Sequence, residues 1–500
     1  MAISTKLKPS FSPNPSLKLP SLLSSSFPFS SLPQPHLPAS PSDKTLISTA
    51  VSVLTNHRSK SRWSRLRSLC PAGFRPSEVS QITLLLRNNA HLALRFFLWT
   101  RSNSLCNHTL LSYSTIVHVL ARARLKSHAQ LLLQSALRVS DSDVSDVGSS
   151  SKPPKIFETL VKTYRSCDSA PFVFDLLTRA CLQSNRIDQA IAIVRILRSR
   201  AIYPKVSTCN SLIRSVSRRR GSNFGYDMYR EVFGLDDGEI EIKSKSFKVY
   251  PNAQTFNELM LCFYQDGAIE KVEEVWAEMA KLNCAPNAYS YSILMATYCE
   301  EGEMGEAERL WEEMQIKGIK HDVVAYNTMI GGFCKTGEIG RAEEFFREMT
   351  LSGIEGTCVT FENLINGYCK IKDVDSAMLL YRDMQRKGFK AEALTVDAVI
   401  GGLCDKRRVS EALEFSRGAM GNPDYFPSQK SYEFLMKGFC EEGKMGEALK
   451  VQEEMVGKGF PPNSEIYSAF IDGYMKERNM EMAEMLRKEM FETQMQKENN

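Results

Sequence analysis

The chain has 500 residues, of which 24% are charged and 43% hydrophobic, and its formal net charge is +5. This length is more than one ordinary domain uses around a single core, so the chain is either multidomain or an extended array. The composition is that of a folded protein, and no apolar run approaches the roughly 20 residues that span a bilayer, which excludes a membrane-spanning class.

The charge is divided unequally along the chain. Residues 1–250 hold 35 Lys and Arg against 15 Asp and Glu, a net charge of +20, whereas residues 251–500 hold 28 against 43, a net charge of −15. This polarity predicts that a polyanion binds mainly toward the N-terminal side. Alternatively, the acidic half simply carries well-solvated Glu-rich helix faces, and part of the basic excess lies in a segment that is removed.

Residues 1–42 differ in kind from the rest of the chain. They hold 12 Ser, 9 Pro and three Lys, with no acidic residue before Asp43 and no Arg before Arg58. Such a stretch cannot bury a core and lacks a continuous secretory apolar region, so it predicts an organelle transit peptide. The absence of Arg favours a plastid over a mitochondrion. The alternative is an N-terminus that is merely disordered.

Residues 43–73 form a basic segment that includes Arg62, Arg65 and Arg67. Residues 74–170 then show weak traces of a repeat that becomes regular downstream, as two degenerate units followed by a partial one. Within them, the run VSDSDVSDVGSSSKPP at 139–154 predicts a flexible break, because Ser, Asp, Gly and Pro dominate it.

Further along the chain, three residue types recur with one period. Cysteine, methionine and alanine each return every 35 or 36 residues, and chance does not keep three residue types in phase over several units. The chain therefore contains tandem repeats. The recurring positions are Cys299, Cys334, Cys369, Cys404 and Cys440; Met279, Met314, Met349, Met384, Met420, Met455 and Met490; and Ala307, Ala342, Ala377, Ala412, Ala448 and Ala483.

Each period predicts a helix, a turn and a second helix. In residues 323–357, apolar residues return at steps of three and four over 326–333 and again over 342–349, which places each set on one helical face. Gly337 is placed to end the first helix in a left-handed conformation. Such a hairpin cannot cover its own apolar face, so stacking on its neighbours supplies the core. The sequence thus predicts an all-α solenoid that is superhelical, of either hand.

Nine regular units follow from this frame. One of them is twelve residues over length, and its extra residues, within FGLDDGEIEIKSKSF, predict a surface loop after the second helix. The tandem repeats cover 171–498, as units 171–205, 206–252, 253–287, 288–322, 323–357, 358–392, 393–428, 429–463 and 464–498.

The phrase V-x-x-Y-N-x-[LM]-I-x-G-[FY]-C-K-x-G, continued by regularly placed Ala, Met, Gly and Pro, resembles the pentatricopeptide repeat of plant organelle RNA-binding proteins, of the P subclass. The resemblance implies a right-handed superhelical α-solenoid of tandem 35-residue helix-turn-helix repeats. It also implies sequence-preferring binding of single-stranded RNA, which acts in RNA stabilisation, processing, splicing or translation by occupying the transcript and recruiting machinery. Family membership leans toward the mitochondrion and the presequence toward the chloroplast, so the organelle stays undecided.

By the same resemblance, the fifth residue of a unit and its last residue contact one RNA base. Four consecutive units have pairs of the familiar kind, which imply pyrimidine, pyrimidine, guanine and pyrimidine, with the N-terminal unit toward the RNA 5′ end. The apolar second residues of four units are expected to wedge between bases. A polar residue at a helix start is also an ordinary N-cap, which is the alternative. The pairs are Asn210 with Asn252, Asn257 with Asn287, Ser292 with Asp322 and Asn327 with Thr357, and the second residues are Tyr289, Val324, Val359 and Leu394.

Other units depart from the familiar pairs, and their acidic C-terminal members are candidates for contact with a protein partner, such as an organellar ribosome or processing proteins. A scaffold protein of an organellar ribosome or other ribonucleoprotein assembly is the alternative function. Arg218, Arg219 and Arg220 are candidate phosphate contacts or a solvated turn between helices. The departing pairs are Asp175 with Lys205, Glu362 with Glu392, Asp397 with Ser428, Glu433 with Asn463 and Ser468 with Glu498.

Catalytic and metal motifs are absent from the sequence. Zinc sites need paired ligands such as C-x2-C, and no two of the 13 cysteines are three apart, so the periodic thiols are expected to be core residues. There is no H-x-E of a deaminase, no phosphate loop and no nucleophile elbow. We therefore expect a protein that is not an enzyme, has no cofactor or metal, and takes neither a small-molecule substrate nor a membrane as partner.

Overall fold

The computed structural model describes residues 41–56, 59–142, 152–235, 249–420 and 428–498. Over these ranges the regular secondary structure consists of 25 α-helices, and no strand occurs in them. None of the described helices has both the length and the apolarity that crossing a membrane requires. Most of the predicted transit peptide, residues 1–40, and most of the predicted loop, residues 236–247, lie outside the described residues.

The first of two compact units comprises the described part of residues 1–124 together with residues 162–169. The basic segment 43–73, for which the sequence suggested no structure, is largely helical here. Trp63 of that segment packs against Trp99, with ring centroids 5.1 Å apart. The helices are α1 (Pro41–Asn56), α2 (Ser59–Leu69), α3 (Pro76–Leu85), α4 (Ala90–Ser102) and α5 (Leu110–Arg122).

The second compact unit comprises residues 125–161 and the described part of residues 170–500. It begins with α6 (Lys126–Ser142) and most of α7 (Lys155–Thr163). Because α6 continues to Ser142, the first four residues of the predicted break 139–154 are helical, and that part of the prediction is wrong. Residues 143–151 lie outside the described part of the chain.

Paired helices follow at the repeat spacing through the rest of this unit. They are α8 (Val173–Gln183), α9 (Ile187–Ser199), α10 (Val206–Arg220), α11 (Ser222–Phe233), α12 (Ala253–Gln265), α13 (Ile269–Lys281), α14 (Ala288–Glu301), α15 (Met304–Ile316), α16 (Val323–Thr336), α17 (Ile339–Leu351), α18 (Cys358–Lys370), α19 (Val374–Arg386), α20 (Ala393–Asp405), α21 (Val409–Met420), α22 (Gln429–Glu441), α23 (Met445–Gly457), α24 (Ser464–Lys476) and α25 (Met480–Glu498).

The pairs stack as a solenoid. The first helix of each hairpin contacts the first helices of the hairpins before and after it, as α16 does with α14 and α18. Each second helix packs on its own first helix and also contacts the next one, as α17 does with α16 and α18. A continuous buried core results, because each hairpin covers the apolar face that its neighbour exposes. The predicted all-α solenoid of tandem helix-turn-helix repeats is confirmed.

Small residues determine how closely successive first helices approach. A Cβ atom built on Gly367 of α18 would lie 2.7 Å from the Cβ of Cys334 in α16 and 2.6 Å from Cδ1 of Ile339. No side chain fits in that space, so the glycine is required for close stacking. At the end of α16, Gly337 has φ 89° and ψ 7°, which confirms the predicted left-handed helix end.

The periodic cysteines belong to this core. Cys299, Cys334, Cys404 and Cys440 are each less than one-tenth exposed. Burial raises the pKa of each of these thiols to about 12. The thiolate, which is the reactive and metal-binding form, is therefore disfavoured. Over the described ranges, no group of three or more His, Cys, Asp or Glu side chains is placed to hold a metal ion.

Candidate functional site

The last residue of a unit is the N-cap of the next unit's first helix. The Oδ1 of Asn252 accepts from the backbone N of Thr255 at 3.1 Å, that of Asn287 from Ser290 at 3.0 Å, and that of Asp322 from Ala325 at 2.9 Å. These bonds pair backbone N–H groups that a helix start otherwise leaves unsatisfied. Capping and ligand contact are therefore not exclusive alternatives, since the same side chain keeps further polar atoms.

The fifth residue of a unit lies beside that cap. Nδ2 of Asn257 donates to Oδ1 of Asn287 at 3.2 Å. The equivalent bonds, also 3.2 Å long, join Asn210 to Asn252 and Asn327 to Thr357. The structure thus brings together three of the four predicted pairs, although the members of each pair are at least 30 residues apart in sequence.

The remaining pair, Ser292 with Asp322, is arranged differently. The hydroxyl of Ser292 turns back along its own helix and donates to the carbonyl of Ala288 at 3.0 Å. Asp322 uses Oδ1 as the cap of α16, which leaves Oδ2 facing the exterior. This junction therefore presents a carboxylate oxygen where the neighbouring junctions present amide or hydroxyl groups.

In three of the four pairs the two members differ in exposure, which the sequence pattern did not indicate. Asn210, Asn257 and Ser292 are only 3%, 5% and 2% exposed, and Asn327 is half-buried. Their partners Asn252, Asn287 and Asp322 are exposed, and Thr357 is half-buried. A ligand on this surface therefore meets the last residue of a unit more readily than the fifth.

A third group of residues at the junctions was missed by the sequence analysis. The hydroxyl of Thr255 donates to Oδ1 of Asn210 at 2.8 Å, that of Ser290 to Asn257 at 2.7 Å and that of Thr360 to Asn327 at 2.6 Å. Each is the third residue of the unit that follows. A signal was available, because Ser or Thr stands at this position after every fifth-position Asn, namely Asn210, Asn257 and Asn327.

The predicted base-wedging residues are apolar side chains exposed to solvent. Tyr289, Val324, Val359 and Leu394 are 41%, 45%, 50% and 67% exposed, although their helices are otherwise deeply packed. Each lies three residues before the fifth residue of its unit, which is about one helical turn away. Their exposure is what stacking against a planar ligand requires, since a buried side chain could not reach it.

The departing junctions at the C-terminal end are built from carboxylates that neighbours already hydrogen bond. Ser428 donates to Oδ2 of Asp397 at 2.7 Å, and Asn463 donates to Oε1 of Glu433 at 2.6 Å. Oε1 of Glu362 accepts from the backbone N of Glu392 at 2.8 Å. The same spatial relationship thus recurs with different chemistry. The side chain of Glu498, paired with Ser468 in the prediction, is not among those described.

The three candidate phosphate-binding arginines lie inside a helix. Arg218, Arg219 and Arg220 form the last turn of α10, not the turn between helices that the sequence suggested. All three are exposed, and Arg220 is ion-paired with Asp188 of the preceding unit. Competition from that carboxylate weakens any phosphate contact of Arg220, whereas neither Arg218 nor Arg219 is ion-paired with a carboxylate of the described residues.

Comparison with known proteins agrees with this repeat architecture. A model of the PPR repeat family matches residues 251–299, 321–370 and 356–405, and a PPR repeat model matches 289–319, 430–460 and 465–493. Among solved structures, the pentatricopeptide repeat protein PPR10 from maize, in complex with an 18-nt psaJ RNA element, is 16% identical with a TM-score of 0.42, over 90% of this chain and 79% of that one.

Two relatives from Arabidopsis thaliana illustrate the range of similarity. Pentatricopeptide repeat-containing protein At4g26680, mitochondrial, is 26% identical over 36% of this chain and 33% of its own length. Pentatricopeptide repeat-containing protein At2g15980 is 61% identical over 461 residues, which are 91% of this chain and 92% of that protein. Similarity at this level along nearly the whole length of both proteins shows that the chain is a plant member of the pentatricopeptide repeat family.

Proposed function

We propose that the protein binds single-stranded RNA in a plant organelle with a preference for particular bases. The observation that carries this proposal is the row of polar junctions, one per repeat, formed by the fifth and last residues. Their spacing suits one exposed base per unit. The family resemblance and the exposed apolar side chains beside the junctions support the same function.

The asparagine junctions present hydrogen-bond donors. Oδ1 of Asn287 accepts from the backbone N of Ser290 and from Nδ2 of Asn257, so its Nδ2 group points to solvent. The backbone donor determines this orientation, because a flipped amide would oppose two N–H groups. Two outward N–H donors complement the acceptors O2 and N3 or O4 of a pyrimidine. The junction of Asn210 with Asn252 has the same arrangement.

The junction of Asp322 presents the opposite chemistry. A carboxylate is acceptor-only when ionised, and Oδ2 of Asp322 remains after Oδ1 caps α16. Guanine offers adjacent N1–H and N2–H donors on its Watson–Crick edge, and a pyrimidine does not. These donor and acceptor groups support the assignment that the family resemblance implies for the four consecutive junctions, namely pyrimidine, pyrimidine, guanine and pyrimidine. The orientation, with the N-terminal unit toward the RNA 5′ end, comes from the resemblance alone.

Stacking would supplement these hydrogen bonds. The side chains of Tyr289, Val324, Val359 and Leu394 project one per unit, and bases inserted between them would bury apolar surface. The exposed Arg218 and Arg219 are the candidates for phosphate contact near the 5′ end of this tract. The affinity would then come from hydrogen bonds to base edges, stacking on base faces and contacts with the charged RNA backbone.

Such a protein acts by occupying a segment of its transcript. A solenoid bound along a transcript blocks exonucleases, prevents RNA structure, or recruits processing, splicing or translation machinery. The Ser-rich, Arg-free residues 1–42 favour a chloroplast, whereas several relatives carry "mitochondrial" in their names. Both organelles therefore stay in the proposal, and fluorescence microscopy of a tagged full-length chain in plant cells distinguishes them.

The proposal is tested by binding of the full chain to short RNAs that contain the core pyrimidine-pyrimidine-guanine-pyrimidine. We expect each single replacement within the core to weaken binding by about 1 to 3 kcal/mol, the range for loss of a good base contact. Affinity should also fall steeply with added salt. Equal affinity for the core and for a scrambled core would refute the base preference.

A scaffold role is the second candidate, because the C-terminal junctions favour it. The carboxylates of Glu362, Asp397 and Glu433 are turned toward neighbouring residues, and exposed Glu392 would repel phosphate. These units then bind a protein of an organellar ribosome or other assembly. Stable co-purification with a defined particle after RNase treatment supports this role, and its loss on RNase treatment excludes it.

A further inference from the structure

We propose that Thr255, Ser290 and Thr360 are positioning residues that set the base preference of the unit before each of them. The inference deepens the proposed function and rests on it. None of these hydroxyls is exposed, since all three residues are fully buried. They would act on RNA through the fifth-position asparagines, whose amide orientation they determine.

The geometry around Ser290 shows how the orientation is held. The backbone N of Asn287 donates to Oγ of Ser290 at 3.1 Å, and that Oγ lies 2.7 Å from Oδ1 of Asn257. A hydroxyl has one proton to donate, and the shorter of its two acceptor distances is to Asn257, since Oδ1 of Asn287 is 3.0 Å away. Nδ2 of Asn257 then completes the ring by donating to Asn287.

This closed ring makes a flipped amide unfavourable. If Asn257 rotated its amide by half a turn, its oxygen would oppose Oδ1 of Asn287, and the hydroxyl of Ser290 would have to accept from the NH2 group and donate to Asn287 instead. The bond from Nδ2 of Asn257 to Asn287 would be replaced by two facing oxygens, and leaving a buried polar atom unsatisfied is costly. Members of such a ring also strengthen one another in a low-dielectric environment. The ring therefore favours the orientation in which the amide oxygen of Asn257 faces the hydroxyl of Ser290 and its Nδ2 group faces Asn287.

The arrangement is repeated at independent places in the chain. At the preceding junction, Thr255 bonds Asn210 while the backbone N of Asn252 bonds Oγ1 of Thr255 at 3.1 Å. Further along, Thr360 bonds Asn327, and the backbone N of Thr357 bonds Oγ1 of Thr360 at 2.9 Å. The same hydrogen bonds at three junctions indicate a regular feature of the repeat, because chance packing would not reproduce each bond at three places.

The exceptions within the molecule agree with this role. The unit that follows Ser292 has Ala325 at its third position, and the one that follows Glu433 has Ile466. Ser292 has no amide to orient, and the two oxygens of the Glu433 carboxylate are equivalent acceptors. A hydroxyl also follows the carboxylates Asp175, Glu362 and Asp397, as Thr208, Thr395 and Ser431, so it is a common feature of the repeat. It can decide between donor and acceptor only at the asparagines, whose two ends differ.

The experiment uses the full chain with Thr360→Val, which replaces the hydroxyl by a methyl group of similar size and so removes both the bond to Asn327 and the bond from the backbone N of Thr357. Binding is measured to two RNAs that differ by pyrimidine or purine at the nucleotide assigned to residues 323–357. We expect the pyrimidine preference there to fall about fivefold, which corresponds to one hydrogen bond of about 1 kcal/mol, while preferences at the other three positions stay unchanged. Thr360→Ser should restore the preference.

Thr297→Val is the matched control. Thr297 is also fully buried, and its hydroxyl donates only to the carbonyl of Ile293 in its own helix at 2.9 Å. It should lower the melting temperature by no more than Thr360→Val, since it loses fewer hydrogen bonds, and should leave every base preference intact. An unchanged pyrimidine preference in Thr360→Val overturns the proposal, as does an equal loss of preference at all four nucleotides.

A second measurement separates this inference from the proposed function. If the wild-type chain shows no base preference, the base-reading function fails, and the positioning role is decided in the RNA-free protein. Side-chain amide hydrogen exchange of Asn327 is then followed by NMR with 15N-labelled asparagine. Faster exchange in Thr360→Val, but not in Thr297→Val, supports the positioning role. Unchanged exchange in Thr360→Val overturns it.

Discussion

Asn257 and Asn287 lie 30 residues apart in sequence, and Nδ2 of the first donates to Oδ1 of the second at 3.2 Å. The bond crosses the boundary between two repeats, since Asn287 caps the helix of the following unit. A pair of fifth and last residues, which we propose contacts one base, therefore belongs to a junction between hairpins and not to a single hairpin. This relationship determines which substitutions should change binding and which should change only stability.

The first prediction concerns transfer of preference between junctions. The double variant Ser292→Asn with Asp322→Asn gives this junction the two amides of Asn257 and Asn287 but not the hydroxyl of Ser290, because Ala325 is the third residue of the next unit. We expect the preference at that nucleotide to change from guanine to pyrimidine, by roughly tenfold or more in relative affinity. Competition binding with RNAs that vary only this nucleotide measures the change.

Its reciprocal control is Asn257→Ser with Asn287→Asp, which should shift the base preference at the neighbouring nucleotide from pyrimidine toward guanine. Both double variants keep a capping side chain at the start of the helix, so their stability should change little. If neither nucleotide responds, these junctions do not read bases.

The second prediction concerns the close stacking of first helices. Gly367→Ala places a methyl group within 2.7 Å of the Cβ of Cys334, so the helices must separate. Overpacking of this kind destabilises by about 1 to 3 kcal/mol, which exceeds the gain of at most about 1 kcal/mol from replacing a helical glycine. Urea denaturation followed by circular dichroism measures the difference.

Gly340→Ala is the control for that measurement. A Cβ built on Gly340, which lies in α17, meets no atom within 4 Å. It should therefore stabilise the protein by about 0.5 to 1 kcal/mol. Equal effects of the two substitutions would show that helix propensity, and not stacking distance, decides their outcome.

The third prediction concerns pH. His108 is 8% exposed, its Nε2 lies 3.2 Å from Oγ1 of Thr100, and burial together with Arg101 lowers the pKa of His108 to about 4. The unfolded chain binds this proton near pH 6.5. The contribution of neutral His108 to the free energy of unfolding is therefore fully present above about pH 6.5. It is lost as the pH falls toward 4, by at most about 3 kcal/mol.

Urea titrations at pH 7.5 and pH 5 measure this loss through the fluorescence of Trp63 and Trp99, which lie in the same compact unit. In His108→Gln, the free energy of unfolding should differ much less between pH 7.5 and pH 5 than it does in the wild type. Substitution of the exposed His128 by Gln should leave it unchanged. A difference equal in wild type and His108→Gln would contradict the assignment.

The fourth prediction concerns the thiols. With pKa values raised to about 12 by burial, Cys299, Cys334, Cys404 and Cys440 hold very little thiolate at pH 8. We expect iodoacetamide to modify them at least about tenfold more slowly than the less buried Cys284. Peptide mass spectrometry over a time course measures the rates, and labelling in denaturant supplies the control. Equal rates in the native protein would show that the helices open freely.

Much of the fold could be predicted from the sequence, because the same residue pattern recurs in every regular unit. The phase of Cys, Met and Ala predicted the hairpins, and Gly337 predicted a helix end that the structure confirms. Prediction was poorer where the period is absent. No structure was predicted for the basic segment 43–73, which is largely helical, and the break predicted at 139–154 begins inside α6. Helix formation there depends on packing against neighbours, which a local pattern does not contain.

The candidate site could likewise be predicted only in part from the sequence. By itself the sequence determined which side chains stand at the fifth and last positions of each unit, since their numbers follow from the period. Only the tertiary structure decided that Asn257 is buried while Asn287 is exposed, and that the hydroxyl of Ser290 donates to the amide oxygen of Asn257. The physical reason is that exposure and hydrogen-bond direction arise where two hairpins meet, and the meeting surface exists only after they have stacked.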